Sequence, residues 1–313
     1  MAMFVLRRLA AGLVLVFVIT TIAYTLIYST AGGIARNIMG ENATAEQVAA
    51  KEVELGLDQP LPVQYITWLT HALRGDFGSS WFTSQSVVDT ISTRLPVTLS
   101  MVIVSMLVIT IVSVVMGMVA AIKGGATDRV LQVLSVVGFS LPNFWVALIL
   151  VVVFSVGLGL LPATGYIPLT LSPVDWARSL ILPVTALVVS GTASAAQQIR
   201  GAVTDVMQLD FVRTLKARGL SARSIQVQHV LRNAAPPALT VLSLQFIGLL
   251  GGAVVIEQVF AIPGMGTYTV SSALLGDIPS LMGIVVVMVV MVVIVNLIID
   301  IMNGWLNPKA RQQ

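Results

Sequence analysis

Long apolar runs alternate with polar segments along the whole chain. Uncharged runs occupy residues 9–28, 97–122, 180–199, 238–256 and 281–299, and another lies within 130–158, where Pro142 predicts a kink or an interruption. About 20 apolar residues, rising about 1.5 Å each, cross a hydrocarbon core of about 30 Å. The pattern therefore predicts an all-α polytopic membrane protein with six transmembrane helices.

The first run has a competing interpretation as a cleavable signal peptide. Ser29 and Ala31 offer a small-x-small cleavage site. The apolar region of a signal peptide is only about 7 to 15 residues long, however, and this run is longer. We therefore interpret residues 1–28 as an N-terminal transmembrane helix that is retained.

The polar segment at residues 29–93 predicts a folded region outside the membrane, between the first two spans. Thr44 is a suitable helix N-cap, and Gln47 three residues later completes a capping box. This helix should run to about Leu55 and end at Gly56.

The distribution of basic residues predicts how the chain is oriented. Of the 17 Lys and Arg residues, 12 fall on the side of both termini and five on the opposite side of the six-span arrangement. Because short cytoplasmic segments carry the excess of Lys and Arg, both termini should be cytoplasmic.

The longest basic segment of the C-terminal half lies at residues 200–237. Met207, Phe211 and Leu215 recur every four residues, as on one face of a helix, with Arg213 and Lys216 on another face. This spacing predicts a helix that continues to Arg218.

Gly219 should end that helix and start a second one. Ser221 is a suitable N-cap, and Leu220 and Ile225 occupy the two positions of a hydrophobic staple. The segment thus predicts two helices joined at a glycine, the second of them short.

The composition excludes an ordinary soluble protein, with 57% hydrophobic and 10% charged residues and a mean hydropathy of +0.95. There are no cysteines, and no lysine follows a glycine as a phosphate-binding loop requires. His71 and His229 fall on opposite predicted sides, and the six runs contain no ionisable residue. We therefore expect no enzyme, no metal site and no cofactor bound by this chain.

The fourth span is unusually polar, and the third contains Pro142 and Asn143. Polar side chains within spans face protein or water, so they mark either helix packing or a solute pathway. Both interpretations remain open. The pathway candidates are Pro142, Asn143, Ser190, Ser194 and Gln197. In the fifth span, Gly248 and Gly252 form a weak close-packing signal.

Residues 210–236, DFVRTLKARGLSARSIQVQHVLRNAAP, resemble the EAA loop of the membrane subunits of ABC importers, in the variant typical of dipeptide and oligopeptide permeases. The general pattern is Glu-Ala-Ala, three residues and Gly. Here Arg213, Thr214 and Leu215 precede Gly219, and Leu215 departs from the Arg-Thr-Ala common in the peptide-permease branch. Residues 55–80 and 257–266 also resemble this family.

The resemblance implies an ABC transporter type-1 transmembrane domain at residues 94–303, a cytoplasmic coupling loop at 200–237 and a cytoplasmic tail at 304–313. It assigns coupling to the ATPase to Asp210, Arg213, Thr214, Ala217, Gly219, Leu220 and Ser221. It also suggests four external docking candidates, Phe260, Pro263, Gly264 and Gly266.

The resemblance further implies a permease subunit, with a homologous second permease, two ABC ATPase subunits that bind ATP and Mg, and an extracytoplasmic substrate-binding protein as partners. Such a permease would lie among lipids in the cytoplasmic membrane and bind no nucleic acid. Peptides are the expected cargo, with nickel or another small solute as the alternative. The rival functions are an ion-coupled secondary carrier and a receptor or assembly scaffold.

Overall fold

The computed structural model describes residues 2–29 and 33–306, so most of the predicted tail at 304–313 lies outside the described residues. Every long element is a helix. The helices in the first half are α1 (Ala2–Ser29), α2 (Ile34–Met39), α3 (Ala45–Glu54), α4 (Leu61–Ala72), α5 (Val87–Lys123), α6 (Gly125–Ser140) and α7 (Asn143–Gly157). Those in the second half are α8 (Pro173–Met207), α9 (Asp210–Ala217), α10 (Ala222–Val259), α11 (Met265–Leu275) and α12 (Ile278–Leu306).

Five single helices are long and apolar enough to cross a membrane, namely α1, α5, α8, α10 and α12. The pair α6 and α7 meets the same criteria together but bends by 92° at the intervening break. Pro142 stands at this break as the residue before α7, where its fixed φ and missing N–H end the helical hydrogen bonding. The described residues thus contain five unbroken candidate spans, and six when the bent pair counts as one span interrupted at the predicted proline.

The spanning helices are longer than their apolar runs, which corrects two boundaries. α5 begins at Val87, inside the segment predicted to be external, and includes Pro96. The second helix after Gly219 is not short, because it continues through Pro236 and Pro237 as α10 to Val259. Helical hydrogen bonding continues beyond the hydrocarbon, and membrane helices tolerate internal prolines through local adjustment. A π-helical stretch, Ile225–Val230, precedes the two prolines.

Among the described residues, one compact unit comprises 2–5, 97–263 and 295–306. In it α8 packs against α6, α7 and α10, and it buries Leu187, Ile199 and Val203. The contact between α5 and α8 is close, since a β-carbon at Gly117 would lie only 3.0 Å from the Ala196 carbonyl oxygen. α8 is therefore the central helix of this unit.

A buried carboxyl group links α5 and α10 within the same unit. Glu257 is fully buried, and its Oε1 accepts a hydrogen bond of 2.5 Å from Thr98 Oγ1. Thr98→Val keeps the side-chain shape but removes this donor, so we expect it to lower the free energy of unfolding by about 1 to 3 kcal/mol.

Unfolding of the purified protein in detergent measures that change. Thr240→Val on α10 is the matched control, because Thr240 is exposed and its hydroxyl donates to the Pro236 carbonyl of its own helix rather than to another helix among the described residues. Equal stability of the two variants would contradict the expected contribution of Thr98.

The other compact unit comprises residues 6–96 and 264–294. The predicted capping box is confirmed, because the Thr44 hydroxyl accepts from the Gln47 N–H and the Gln47 side chain accepts from the Thr44 N–H. Aromatic rings of α1 and α4 pack together, with Tyr24 5.1 Å from Tyr65 between ring centroids. The segment after α1 is thus helical and anchored to that span.

Candidate functional site

The element around Gly219 rests on a group of buried apolar side chains, here called the junction cluster. It consists of Ile199, Val203 and Val206 of α8, Val212 of α9, and Ile225, Val230 and Ala234 of α10. The predicted face of Met207, Phe211 and Leu215 packs against it, as does Leu220. The junction cluster therefore ties the short helix α9 to two membrane-spanning helices.

The connection on each side of α9 is short. α8 ends at Met207 rather than continuing to Arg218, and only Gln208 and Leu209 separate it from α9. Gly219 has a φ of +78°, a left-handed conformation that glycine adopts without strain, and its N–H donates to the Lys216 carbonyl at 3.0 Å. The predicted cap of the following helix is confirmed, since Ser221 Oγ accepts from the Ser224 N–H. The chain is thus held in a defined turn between α9 and α10.

The opposite face of α9 is polar and exposed. Val212 is only 1% exposed, whereas the side chains of Asp210 and Arg213 are 95% and 78% exposed. Of the seven residues assigned to coupling, Leu220 is half-buried and the other six are exposed: Asp210, Arg213, Thr214, Ala217, Gly219 and Ser221. Six of these residues are therefore accessible on α9 and the turn that follows it, here called the α9 surface, while Leu220 packs against the junction cluster beneath it.

An ion pair joins the C-terminal part of α8 to the start of α6. The Asp128 carboxylate near the start of α6 accepts two hydrogen bonds from the Arg200 guanidinium near the end of α8. It also accepts one from Gln132 Nε2 at 3.0 Å. Bidentate pairing of this kind fixes the direction of both side chains. The end of α8 is thereby tied to α6.

A second candidate site lies at the break between α6 and α7. A cleft of about 350 Å³ opens there, lined by four of the five predicted pathway residues, Pro142, Asn143, Ser190 and Ser194. The Ser190 hydroxyl donates a hydrogen bond to Asn143 Oδ1 across two helices. The hydrogen bond shows that Asn143 and Ser190 take part in helix packing, and a pathway role for the residues that line the cleft stays a prediction.

The fifth pathway candidate does not join this cleft. Gln197 is exposed and lines a much narrower crevice beside Gln132 and Arg200. Gln245 of α10 takes part in the cleft instead, although sequence reasoning missed it. The signal available in the sequence was that Gln245 is the one amide side chain in the uncharged run 238–256.

Most of the external docking candidates are covered by the protein itself. Phe260 is 2% exposed, and its carbonyl accepts a hydrogen bond of 2.8 Å from the Gly165 N–H. Gly264 and Gly266 are buried, and Pro263 is exposed. Among these four residues only Pro263 therefore offers an accessible side chain, and a docking role for this segment stays a prediction.

The apolar runs contain no ionisable residue, but the helices that include them are longer than the runs. The spanning helices extend beyond the apolar runs and include Asp128, Arg200 and Glu257. Two of these pair with each other, and the third is bonded to Thr98. The ionisable groups near the ends of these apolar runs therefore have partners within the protein.

Comparison with known families gives two matches that together cover nearly the whole chain. The family described as "Binding-protein-dependent transport system inner membrane component" matches residues 113–312. The family described as the N-terminal part of a binding-protein-dependent transport system membrane component matches residues 1–102.

Curated relatives match along their full length. A Brucella abortus protein provisionally named a peptide transport system permease protein is 36% identical over 312 residues, covering 99% of each chain. The glutathione transport system permease protein GsiC of Salmonella typhi is 34% identical over 309 residues, covering 98% of each.

Among solved structures, a chain of the MetNI methionine ABC transporter in an inward-facing conformation matches with a TM-score of 0.58 and 16% identity. The match covers 69% of this chain and 96% of that one. At this identity the likeness concerns the fold alone.

Proposed function

Since the chain belongs to the family of binding-protein-dependent transport system inner membrane components, we propose that it is the permease subunit of an ABC importer that carries peptides into the cell. The observation that carries the proposal is the α9 surface, an exposed polar helix face fixed by the junction cluster to two spanning helices. Force applied to such a surface reaches the membrane helices directly, because the packed cluster transmits displacement.

The proposed partners are those that membership in this family of transport components implies. Two ABC ATPase subunits bind ATP and Mg, and one of them docks on the α9 surface through Asp210, Arg213, Thr214, Ala217, Gly219, Leu220 and Ser221. A homologous second permease completes the membrane part, and an extracytoplasmic protein delivers the solute. Closure of the ATPases around ATP moves α9, and α8 and α10 convert that displacement into access from one side or the other.

The proposed orientation puts both termini and the α9 surface in the cytoplasm, with residues 29–93 outside. The excess of Lys and Arg on the side of the termini supports it. The membrane is then the cytoplasmic membrane, which in a cell with two membranes is the inner one.

The proposed cargo rests on the relatives. Those cited above are named for the transport of peptides and of glutathione, which is itself a tripeptide. Nickel chelates or another small solute are the alternative cargo, because the extracytoplasmic protein performs most of the selection.

Reconstitution tests the proposal. The chain is purified with its co-purifying subunits, inserted into proteoliposomes and supplied with the binding protein and a radiolabelled tripeptide. We expect tripeptide uptake that requires ATP and the binding protein and is insensitive to ionophores. Uptake without ATP that collapses with an ion gradient would identify a secondary carrier, and isolation without any ATPase subunit would favour a scaffold.

A further inference from the structure

The polar cleft at the break between α6 and α7 has a chemistry that the coupling scheme does not use. It is lined by amide and hydroxyl side chains together with apolar ones, and no charged residue lines it. Uncharged polar groups around an opening in a membrane protein face water, a solute or another protein rather than lipid. The cleft is therefore a candidate binding site for a solute.

Two amide groups in the cleft retain unused hydrogen-bonding capacity. Asn143 on α7 accepts the Ser190 hydroxyl at Oδ1, while its Nδ2 has no hydrogen-bond partner among residues 2–29 and 33–306. Gln245 on α10 has no side-chain hydrogen bond within the same part of the chain. Each free amide nitrogen is a donor, and the Gln245 oxygen is also an acceptor.

Backbone glycines leave room for both amides. A β-carbon at Gly191 of α8 would lie 2.7 Å from Gln245 Nε2, and one at Gly252 of α10 would lie 3.1 Å from Asn143 Nδ2. Both distances are shorter than ordinary carbon contacts, so a larger residue at either glycine would displace an amide. The two glycines thus hold Asn143 and Gln245 beside the cleft.

We propose that this cleft binds the main chain of a peptide in transit, with the amides of Asn143 and Gln245 pairing with peptide N–H and C=O groups. Every peptide residue other than proline offers one donor and one acceptor whatever its side chain. A neutral amide lining matches this repeating group without favouring any side-chain charge. The inference rests on the proposed peptide cargo and adds that this chain recognises the backbone, leaving side-chain selection to the binding protein.

Backbone replacement in the substrate tests the inference. Trialanine is compared with its depsipeptide counterpart, in which lactic acid replaces the central alanine and an ester oxygen replaces one N–H. Both are supplied to the full complex in proteoliposomes with the same binding protein. The measured quantity is the rate of trialanine uptake divided by the rate of depsipeptide uptake. Comparing this ratio between variants cancels the preference of the binding protein, which is the same in every experiment.

Gln245→Met removes the amide and keeps a similar unbranched side chain. We expect it to slow trialanine uptake about fivefold, the effect of one lost hydrogen bond, and to leave depsipeptide uptake less affected, so that the ratio falls toward one. Gln258→Met is the matched control, because Gln258 is an exposed glutamine on the same helix and away from the cleft. Its ratio should equal that of the unmodified protein.

The outcomes distinguish a failure of this inference from a failure of the proposed function. A fallen ratio in Gln245→Met but not in Gln258→Met supports backbone recognition, whereas an unchanged ratio, including one in which both substrates slow equally, overturns it. If Gln245→Met fails to co-purify with its partners, Gln245→Ala is measured in the same way. Absence of ATP-dependent trialanine uptake in the unmodified complex would instead refute the peptide cargo on which the inference rests.

Discussion

Gly219→Pro should abolish ATP-driven uptake while leaving the complex assembled. Gly219 has a φ of +78°, whereas proline is fixed near −65° and cannot adopt the left-handed conformation. The substitution also removes the N–H that donates to the Lys216 carbonyl at 3.0 Å. The turn between α9 and α10 must then rearrange and tilt the α9 surface, although the spanning helices keep their own contacts.

Two further variants separate the turn from the mere loss of a glycine. Gly219→Ala keeps the N–H and meets no atom within 4 Å, so its strain is confined to the backbone, about 1 to 2 kcal/mol, and uptake should be reduced rather than lost. Gly201→Ala on α8 also meets open space but needs no left-handed backbone, and uptake should be normal. Uptake is measured in proteoliposomes after co-purification of all subunits. Normal uptake by an assembled Gly219→Pro complex would refute the coupling role of the α9 surface.

The sequence predicted the local features of this site well. The apolar face of Met207, Phe211 and Leu215, the break at Gly219 and the cap at Ser221 all depend on neighbouring residues, and the structure contains each of them. The interruption at Pro142 was predictable for the same reason, because proline acts on its own backbone. Features set by a few adjacent residues can be inferred without the fold.

The lengths of the helices could not be predicted in this way. Hydropathy detects the part of a helix that crosses hydrocarbon, and α5 and α10 both extend into polar sequence. Pro236 and Pro237 resemble the end of a loop, yet α10 continues through them. Tertiary packing stabilises these extensions, and a local pattern carries no information about it.

Contacts between distant residues were also beyond the sequence. The Asp128 and Arg200 pair joins positions 72 apart, and neither residue alone indicates the other. The same holds for the polar cleft, where Gln245 meets residues of α7 and α8 only because the helices pack as they do. Four of the five pathway candidates line this one cleft and Gln197 lies apart from it, so the polarity of a residue in the sequence does not show which residues the fold brings together.

These contacts give the α9 surface its mechanical base. Arg200 and Ile199 are adjacent on α8, one bonded to α6 and the other part of the junction cluster. Both positions also lie against α5 at Gly117. A displacement of α9 is therefore transmitted to α8, which is itself in contact with α5 and α6.

Gly117→Leu should break this base and cause the largest loss of stability among the variants considered. A β-carbon at Gly117 would lie 2.9 Å from Ile199 Cγ2 and 3.0 Å from the Ala196 carbonyl oxygen and the Arg200 backbone nitrogen. Two of these atoms belong to the backbone of α8 and cannot move without shifting the helix. Overpacking typically costs about 1 to 3 kcal/mol and occasionally more, and a leucine between two helices belongs at the upper end.

Gly251→Leu is the matched control for this substitution. Gly251 lies within α10 and is exposed, and a β-carbon there meets no atom within 4 Å. Replacing a helical glycine with leucine in open space should raise helix stability by roughly 0.5 to 1 kcal/mol. Unfolding of the two purified proteins in the same detergent compares them directly. If Gly117→Leu proved as stable as Gly251→Leu, then α5 and α8 would not pack as closely as the structure shows, and α9 would lack the support that coupling requires.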